Sequence, residues 1–375
     1  MIIGVDLRCL DNNLTSGVSV YAYNLLKNLL LNDKKNTYKI FTNRQNLTKL
    51  KEELKQPNIK NYCFNIPNKL LNLSLKFLHW PKIDNLLKGV DLIWFPNINF
   101  CSFSKKVKVI TTVHDLTFKI MPEFFSFKRR LWHWLVNPAA LYKKSTKIIA
   151  VSENTKNDLI KFFGIDPAKI KVIYPGLENN WHNKYFENDL LDFKNNNLLS
   201  DYLILTVATF EPRKNIESII LAFEKLLNTV PEYKKMNWQL VIIGKKGWLV
   251  KPLYKILKNI KNLSQIKIIY NLPREKLPLI YQLVKIFIWP SYYEGFGFPP
   301  QEAAFHNLPI ITSFNSSLVE TLNQSILFIN PFNIQELERA LETLIKNNSV
   351  SNLKLKKTFN WQTAAFNFLK IIETI

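Results

Sequence analysis

The sequence predicts two doubly wound α/β domains facing each other across a cleft. Three observations carry this reading. Short runs rich in β-branched and apolar residues recur along the chain, separated by helical patterns, which is the signature of βαβ units. Most of these runs are apolar throughout rather than alternating, as strands buried on both faces of a parallel sheet must be. The length of 375 residues is about twice that of a typical domain of roughly 100–200 residues.

The runs fall into two series. The first contains Ile2–Leu7, Tyr38–Thr42, Tyr62–Ile66, Asp91–Phe95, Val107–Val113, Lys147–Val151 and Lys171–Tyr174. The second contains Tyr202–Val207, Gln239–Ile243, Ile266–Tyr270, Lys285–Trp289 and Pro309–Thr312. An amphipathic helix is expected at Val20–Leu31. Between the two series lies Asn179–Ser200, polar, Asn-rich and without clear periodicity, which reads as an interdomain linker. The domains are therefore placed at 1–182 and 198–358. In open α/β sheets ligands bind at the carboxyl ends of the strands, so the site is expected there.

Composition narrows the class. Hydrophobic residues make up 47% and charged residues 21%, which excludes a mostly disordered chain. Lys and Arg number 51 against 29 Asp and Glu, a net charge of +22 that suits an anionic partner. Of the 51, however, 44 are Lys and 7 Arg, beside 42 Asn, so AT-rich codon usage accounts for much of the excess. With Arg scarce, specific nucleic-acid binding is not expected. Residues 1–190 carry a net +14 and residues 191–375 a net +8, so the first half is the better candidate to face an anionic surface. Cys9, Cys63 and Cys101 are odd in number and far apart, which indicates neither a disulfide framework nor a zinc site. This fits a reducing cytoplasm. The opening MIIGVDLRCL has no signal-peptide pattern, and no stretch reads as a transmembrane helix.

Four constellations could carry chemistry. The first is Trp289-Pro-Ser-Tyr-Tyr-Glu-Gly-Phe-Gly-Phe-Pro-Pro-Gln-Glu302. A buried strand gives way to a glycine-containing loop, and Pro299-Pro300 suits the first turn of a helix. Backbone N–H groups from Gly295, Phe296, Gly297 and Phe298, with the positive end of that helix, form an anion seat. Glu294 and Glu302 flank it and suit sugar hydroxyls, since a carboxylate accepts hydrogen bonds from a diol. They could equally be a loop residue and a carboxylate satisfying the helix dipole. The second is Phe210-Glu-Pro-Arg213-Lys214-Asn215, where a strand gives way to a helix. Adjacent Arg and Lys there suit a diphosphate, although an exposed basic pair is commonly just solvated. The third is Val113-His114-Asp115 at the carboxyl end of a strand; His114 could instead be structural and Asp115 a helix cap. The fourth is Thr15-Ser16-Gly17-Val18, where Gly17 would let backbone approach a phosphate at a helix start, or form an ordinary turn. The sequence contains no Asp-x-Asp, Gly-x-Ser-x-Gly, P-loop or GxGxxG, so no carboxylate-held metal is expected.

Together these residues resemble the retaining nucleotide-sugar glycosyltransferases of family 4, over nearly the whole chain. Glu294 to Glu302 matches that family's E-x7-E motif, inside S-x-Y-E-G-F-G-x-P-x-x-E-A. Phe210–Asn215 is similar to the L-E-P-R-K-N of its mannosyltransferase-like branch, as are Ile243-Gly244-Lys-Lys-Gly-Trp248 and Val151–Thr155. The resemblance implies the GT-B fold, two Rossmann-like domains, with the helix opening at Phe359-Asn-Trp361 (359–375) crossing back to the first. It implies that Glu302 binds the nucleotide ribose and that Glu294 lies near the donor sugar. Gly295, Phe296, Gly297 and Gly244 line the donor pocket, Lys214 and Arg213 hold the diphosphate, His114 lies by the donor sugar and Gly17 by its phosphate. The chain departs from the family where Ala208-Thr209 stands in place of Gly-Arg, and where Gly17-Val-Ser-Val-Tyr21 stands in place of G-I-G-R-Y.

The function so implied is metal-independent, retaining transfer of a mannose-like hexose. The donor would be a GDP- or UDP-linked sugar, and the acceptor a glycan or lipid-linked molecule in surface polysaccharide or glycolipid synthesis. No cofactor beyond the donor is expected. The stretch Pro122–Lys147 mixes aromatic and basic residues, with Lys128, Arg129, Arg130 and Trp132 as candidates for an anionic membrane or acceptor surface. The same stretch also reads as a core-facing helical stripe with a solvated back. The protein is expected to be cytoplasmic, with a peripheral position on the inner face of the plasma membrane if that surface is used. Two other readings stand beside the transferase: another GT-B enzyme, such as a glycogen-type synthase or nucleotide-sugar epimerase, and a non-catalytic nucleotide-sugar-binding protein.

Overall fold

A computed structural model of the chain describes residues 1–11, 14, 16–43, 54–178, 181, 185–322, 326–347 and 359–375. The chain forms two units. The first comprises Met1–Ile120, Phe127–Glu178 and Phe359–Ile375; the second comprises Met121–Ser126 and Asn179–Thr358.

The first unit is built on seven parallel strands: β1 (Ile2–Asp6), β2 (Thr37–Asn43), β3 (Ile59–Phe64), β4 (Leu92–Phe95), β5 (Lys108–Val113), β6 (Lys147–Ala150) and β7 (Ile170–Val172). Their order across the sheet is β3-β2-β1-β4-β5-β6-β7. The second unit has six: β8 (Tyr202–Val207), β9 (Trp238–Gly244), β10 (Ile266–Tyr270), β11 (Ile286–Trp289), β12 (Ile310–Ser313) and β13 (Leu327–Ile329), in the order β10-β9-β8-β11-β12-β13. Both orders start from a central strand, run outward to one side, then return and run to the other. The reversal leaves a crevice at the carboxyl ends of β8 and β11. The central strands β4, β8 and β11 are buried almost end to end, as helices on both faces require, whereas the edge strand β3 exposes Lys60 and Asn61.

All twelve runs read from the sequence become strands. One is displaced: the run at Tyr62–Ile66 forms β3 at Ile59–Phe64. Asn43 captures the backbone of Ile66 from both sides, accepting its N–H at 3.1 Å and donating to its carbonyl at 2.9 Å, so Ile66 leaves the ladder. The thirteenth strand, β13, spans three residues at a sheet edge and is too short to register as an apolar run. The expected linker at Asn179–Ser200 contains the helix Glu187–Asn196, which packs against the helix Leu277–Leu283 of the second unit. Phe193 is its one buried residue, which is why the segment shows no periodicity. Residues 179, 180 and 182–184 of that stretch, and 348–358 near the expected end of the second domain, lie outside the described residues.

Two helices close one side of the first sheet. Gly17–Asn32 is capped by Ser16, whose Oγ accepts from the Ser19 N–H at 3.1 Å. It packs against Trp361–Glu373, near the end of the chain. Phe368 of that helix lies 4.9 Å from the Trp94 ring, and Trp361 5.8 Å from Tyr21. Burying these aromatic faces is what holds the terminal helix to the first unit.

Candidate functional site

The crevice of the second sheet is lined by the segments that follow β8 and β11. After β8 the chain crosses the loop after β9. Gly244, the last residue of β9, is obligatory in size at this crossing: a Cβ would stand 1.7 Å from the Ala208 carbonyl oxygen. A short turn at Pro212–Lys214 follows, and Asn215, in the left-handed region at φ 55°, starts the helix Ile216–Thr229. The Asn215 amide donates to the carbonyls of Pro290 at 3.2 Å and Pro331 at 2.9 Å. It thereby pins the Arg213-Lys214 turn to the segment after β11. The Tyr292 N–H and the Ser291 hydroxyl also donate to the Arg213 carbonyl, at 2.9 and 3.1 Å.

This brings four charges together. Glu294 accepts from Arg213 Nη1 at 2.9 Å and from Lys214 Nζ at 2.5 Å. Glu211, which sequence reasoning did not single out, accepts from Arg213 Nη2 at 2.8 Å and Nε at 3.1 Å. A further Nη1 bond reaches the Tyr293 carbonyl at 2.8 Å. The guanidinium fork expected to face a diphosphate is thus engaged by two carboxylates and a carbonyl of its own chain, and it holds Glu294 in place. Lys214 reaches Glu294 as a point charge and lies 4.7 Å from the Trp289 ring centroid, a cation–π contact. Burial would raise the Glu294 carboxyl, but Arg213 and Lys214 hold it down at about 2. The Lys214 ammonium shifts downward, chiefly through burial and then through its neighbour Arg213, against the pull of Glu294 and Glu211. Two cations thus keep the Glu294 carboxylate charged, while burial and Arg213 disfavour the charge on Lys214.

The loop Pro290–Gly297 is held from beneath by the segment after β12. Ser313 Oγ donates to the Ser291 carbonyl at 2.7 Å, Asn315 Nδ2 to Tyr292 at 2.8 Å and Ser317 Oγ to Glu294 at 3.0 Å. The Glu294 N–H donates to Ser316 Oγ at 3.0 Å. Gly297 adopts φ 80°, the left-handed conformation that starts the helix Phe298–Phe305. Phe296 is buried beside Phe298, with ring centroids 5.2 Å apart. Pro299 and Pro300 have no N–H, so the donors this end can present come from Gly295 to Phe298 and from Gln301.

Glu302 is 1% exposed and is held at both oxygens, by Arg274 Nη2 at 2.8 Å and by the Tyr281 hydroxyl at 3.0 Å. Burial and then Glu302 push the Tyr281 phenol well above its ordinary range, so it stays a donor. Arg274 lies 5.8 Å from the Trp181 ring, and Trp181 meets Tyr281 edge-on at 5.3 Å. His306 stacks on Tyr281 at 5.7 Å, and burial lowers its pKa to about 4. Arg274, Tyr281, Trp181 and His306 lie far from the E-x7-E motif in sequence or outside its pattern, and no spacing rule marks them. The His306 shift has a measurable consequence. The imidazole stays neutral in the fold down to about 4, whereas in the unfolded chain it charges below 6.5. The unfolded state therefore binds the extra proton in that window, and stability falls as pH drops from 6.5 towards 4. His306→Phe is expected to flatten the pH dependence of the melting temperature over that range.

In the first unit, His114 follows β5 and its Nε2 donates to the Pro96 carbonyl at 2.8 Å. Burial lowers its pKa, and the Tyr21 ring meets it edge-on at 4.8 Å. A neutral imidazole with Nε2 protonated presents Nδ1 as an acceptor. Asp115 caps the next helix by accepting from the Thr117 N–H at 2.9 Å. Gly17 is the first residue of its helix, but Asp11 already brings a carboxylate to that end, accepting from the Ser19 hydroxyl at 2.8 Å and the Ser16 N–H at 3.3 Å. Thr15 lies outside the described residues. Trp132 does not face outward with Lys128, Arg129 and Arg130: it packs on the core, its ring 6.2 Å from Phe100. Phe124 and Phe125 belong to the second unit. Phe124 stacks on Tyr292 at 5.1 Å and its carbonyl accepts from Trp248 Nε1 at 2.8 Å.

The chain is similar to known proteins in both sequence and fold. The family of glycosyl transferases group 1 matches residues 187–362, and Glycosyltransferase Family 4 matches residues 15–180. The chain is 24% identical over 283 residues to the O-antigen chain mannosyltransferase B of Escherichia coli, covering 73% of each. It is 27% identical over 268 residues to the serotype-specific mannosyltransferase WbdA of Escherichia coli, covering 70% of this chain and 32% of that protein. Among solved structures it resembles HepE from Anabaena in complex with UDP-glucose, with a TM-score of 0.71 at 16% identity, and a sucrose-phosphate synthase from Thermosynechococcus elongatus, with a TM-score of 0.73 at 16%. Each match covers all of this chain, and 100% and 98% of the other chain respectively.

Proposed function

Because the chain is a glycosyltransferase of the GT-B fold, we propose that it moves a mannose-like hexose from a nucleotide diphosphosugar to a glycan or lipid-linked acceptor, with retention and without a metal. The observation that carries this reading is the pair of carboxylates eight residues apart, Glu294 bound to Arg213 and Lys214, and Glu302 bound to Arg274 and Tyr281. They stand on the segment leaving β11, beside the strand-order reversal where open sheets take nucleotides. The likeness to O-antigen mannosyltransferases supports the sugar and the class of acceptor.

In this reading Glu302 accepts the ribose hydroxyls, with Arg274 and Tyr281 as positioning residues that fix its carboxylate. Glu294 orients the hexose through its hydroxyls, and Arg213 positions Glu294. Lys214, Gly295, Phe296 and Gly297 face the diphosphate, with Gly244 shaping the adjoining loop. In the first unit, the neutral His114 offers Nδ1 as a hydrogen-bond acceptor suited to a sugar hydroxyl. The bond between the anomeric carbon and the phosphate oxygen breaks, and the nucleoside diphosphate leaves with the electron pair. The acceptor oxygen bonds to the same face of the carbon, and its proton passes to the departing phosphate oxygen. Charge grows on that phosphate as the bond breaks, and Lys214 with the loop amides answers it.

A thermal-shift series tests the reading. One of GDP, UDP and ADP is expected to raise the melting temperature in the presence of a chelator, as mass action requires of a ligand that binds only the folded chain. Glu302→Ala is expected to remove the shift. Stabilisation by none of the three, or an undiminished shift in Glu302→Ala, would overturn the assignment.

A further inference from the structure

The first unit carries an outward face that the transferase reading does not use. The helical segment Asn68–Leu78 and the turn after it expose Leu70, Leu73, Phe77, Leu78 and Trp80, each between 55% and 73% accessible. Scattered exposed leucines are ordinary, but five large exposed apolar side chains within eleven residues are not scattered. The segment is not loose. Leu71 and Leu75 are buried in the core cluster that also contains Phe95 and Val109, the Ser74 hydroxyl donates to the Trp80 carbonyl, and Ser102 Oγ donates to the His79 carbonyl at 2.6 Å. The exposed side chains are therefore held outward on a fixed scaffold.

A second helix, Phe127–Val136, covers the same cluster. Its Trp132, Leu135 and Val136 pack inward, while Phe127 and Trp134 stand about three-quarters exposed on its outer side. Both helices pack their inner residues on one shared core cluster. The polar residues among these apolar groups carry one sign of charge. Lys69, Lys76 and Lys82 belong to the first segment and Lys128, Arg129 and Arg130 to the second, and neither 65–82 nor 127–137 contains an Asp or Glu.

We propose that this face docks on an anionic phospholipid bilayer, with Phe77, Trp80 and Trp134 entering the headgroup boundary and the lysines and arginines meeting lipid phosphates. Large apolar groups set among cations, without a single anion, suit such an interface. A protein partner with an acidic rim, or a second copy of this chain, is the alternative occupant. A second copy is disfavoured by charge, since it would bring the same six cations against their own kind.

Flotation of the full chain with phosphatidylcholine vesicles, and with vesicles containing phosphatidylglycerol, tests this. It needs neither donor nor acceptor, so its failure is separate from failure of the transferase reading. The wild type is expected to float with the anionic vesicles and to release as salt is raised. The pair Phe77→Ser and Trp80→Ser is expected to lower the recovered fraction at least tenfold at an unchanged melting temperature. Should that pair fail to fold, Lys69→Gln, Lys76→Gln and Lys82→Gln together are expected to abolish the preference for anionic over neutral vesicles. No recovery with either vesicle would overturn the proposal, as would either folded variant behaving like the wild type. A wild-type dimer that becomes a monomer in the Phe77→Ser, Trp80→Ser chain, without flotation, would assign the face to a second copy.

Discussion

Glu294→Gln is expected to cost both stability and turnover. The amide keeps the shape of the side chain but removes the charge that two buried cations share. Breaking a buried ion pair from one side costs about 3–5 kcal/mol, because the remaining charge stays buried without its partner. Here two are left, Arg213 with Glu211 still beside it and Lys214 with less. Acid should reproduce the effect. The carboxyl sits at about 2 in the fold and at 4.5 ordinarily, so the stabilisation is complete above about 4.5 and drains away as pH falls towards 2. Denaturant unfolding at pH 7 and pH 3 reads this directly: the gap between wild type and Glu294→Gln is expected to narrow at the lower pH. A constant gap would mean that the variant acts through packing rather than charge.

Lys214→Met is expected to separate the two properties. The Lys214 side chain is only 10% exposed and its ammonium is disfavoured by burial and by Arg213, so replacing it with an apolar chain of similar length relieves as much as it removes. Glu294 keeps Arg213 as its partner. Stability should therefore move little. Turnover should fall by about 10²–10³, the loss typical when one donor facing developing charge is deleted. Steady-state kinetics with the donor identified by thermal shift would show the loss in kcat with little change in KM. A variant that keeps kcat and loses only affinity would make Lys214 a ground-state contact.

The fold was legible because its signals are local. Every long strand announces itself as an apolar run between turn residues. The exceptions are instructive: β3 shifts because a side chain, Asn43, competes for the backbone of Ile66, and the helix Glu187–Asn196 buries too little to leave a pattern. The candidate residues at Glu294–Glu302 and at Arg213-Lys214 were legible as contiguous motifs, and the fold brings Glu294 onto Arg213 and Lys214. What the sequence did not reveal was the support. Asn215, Arg274, Tyr281 and the Ser313–Ser317 segment act on residues up to 116 positions away, and only the folded chain brings them there. The partners of Arg213 were hidden for a local reason. Its position at a strand end suggested a phosphate, whereas Glu211, only two residues before it, engages its fork.

The terminal helix has a consequence for the order in which the chain can be assembled. Trp361–Glu373 supplies Phe368 to the layer that covers Trp94, yet it is synthesised after the whole second sheet. During translation the second unit can therefore reach its native packing while the first still exposes Trp94 and Tyr21 at an unfinished surface. Cleavage between the second sheet and Trp361 would then injure not the neighbouring unit in sequence but the distant one that opens the chain.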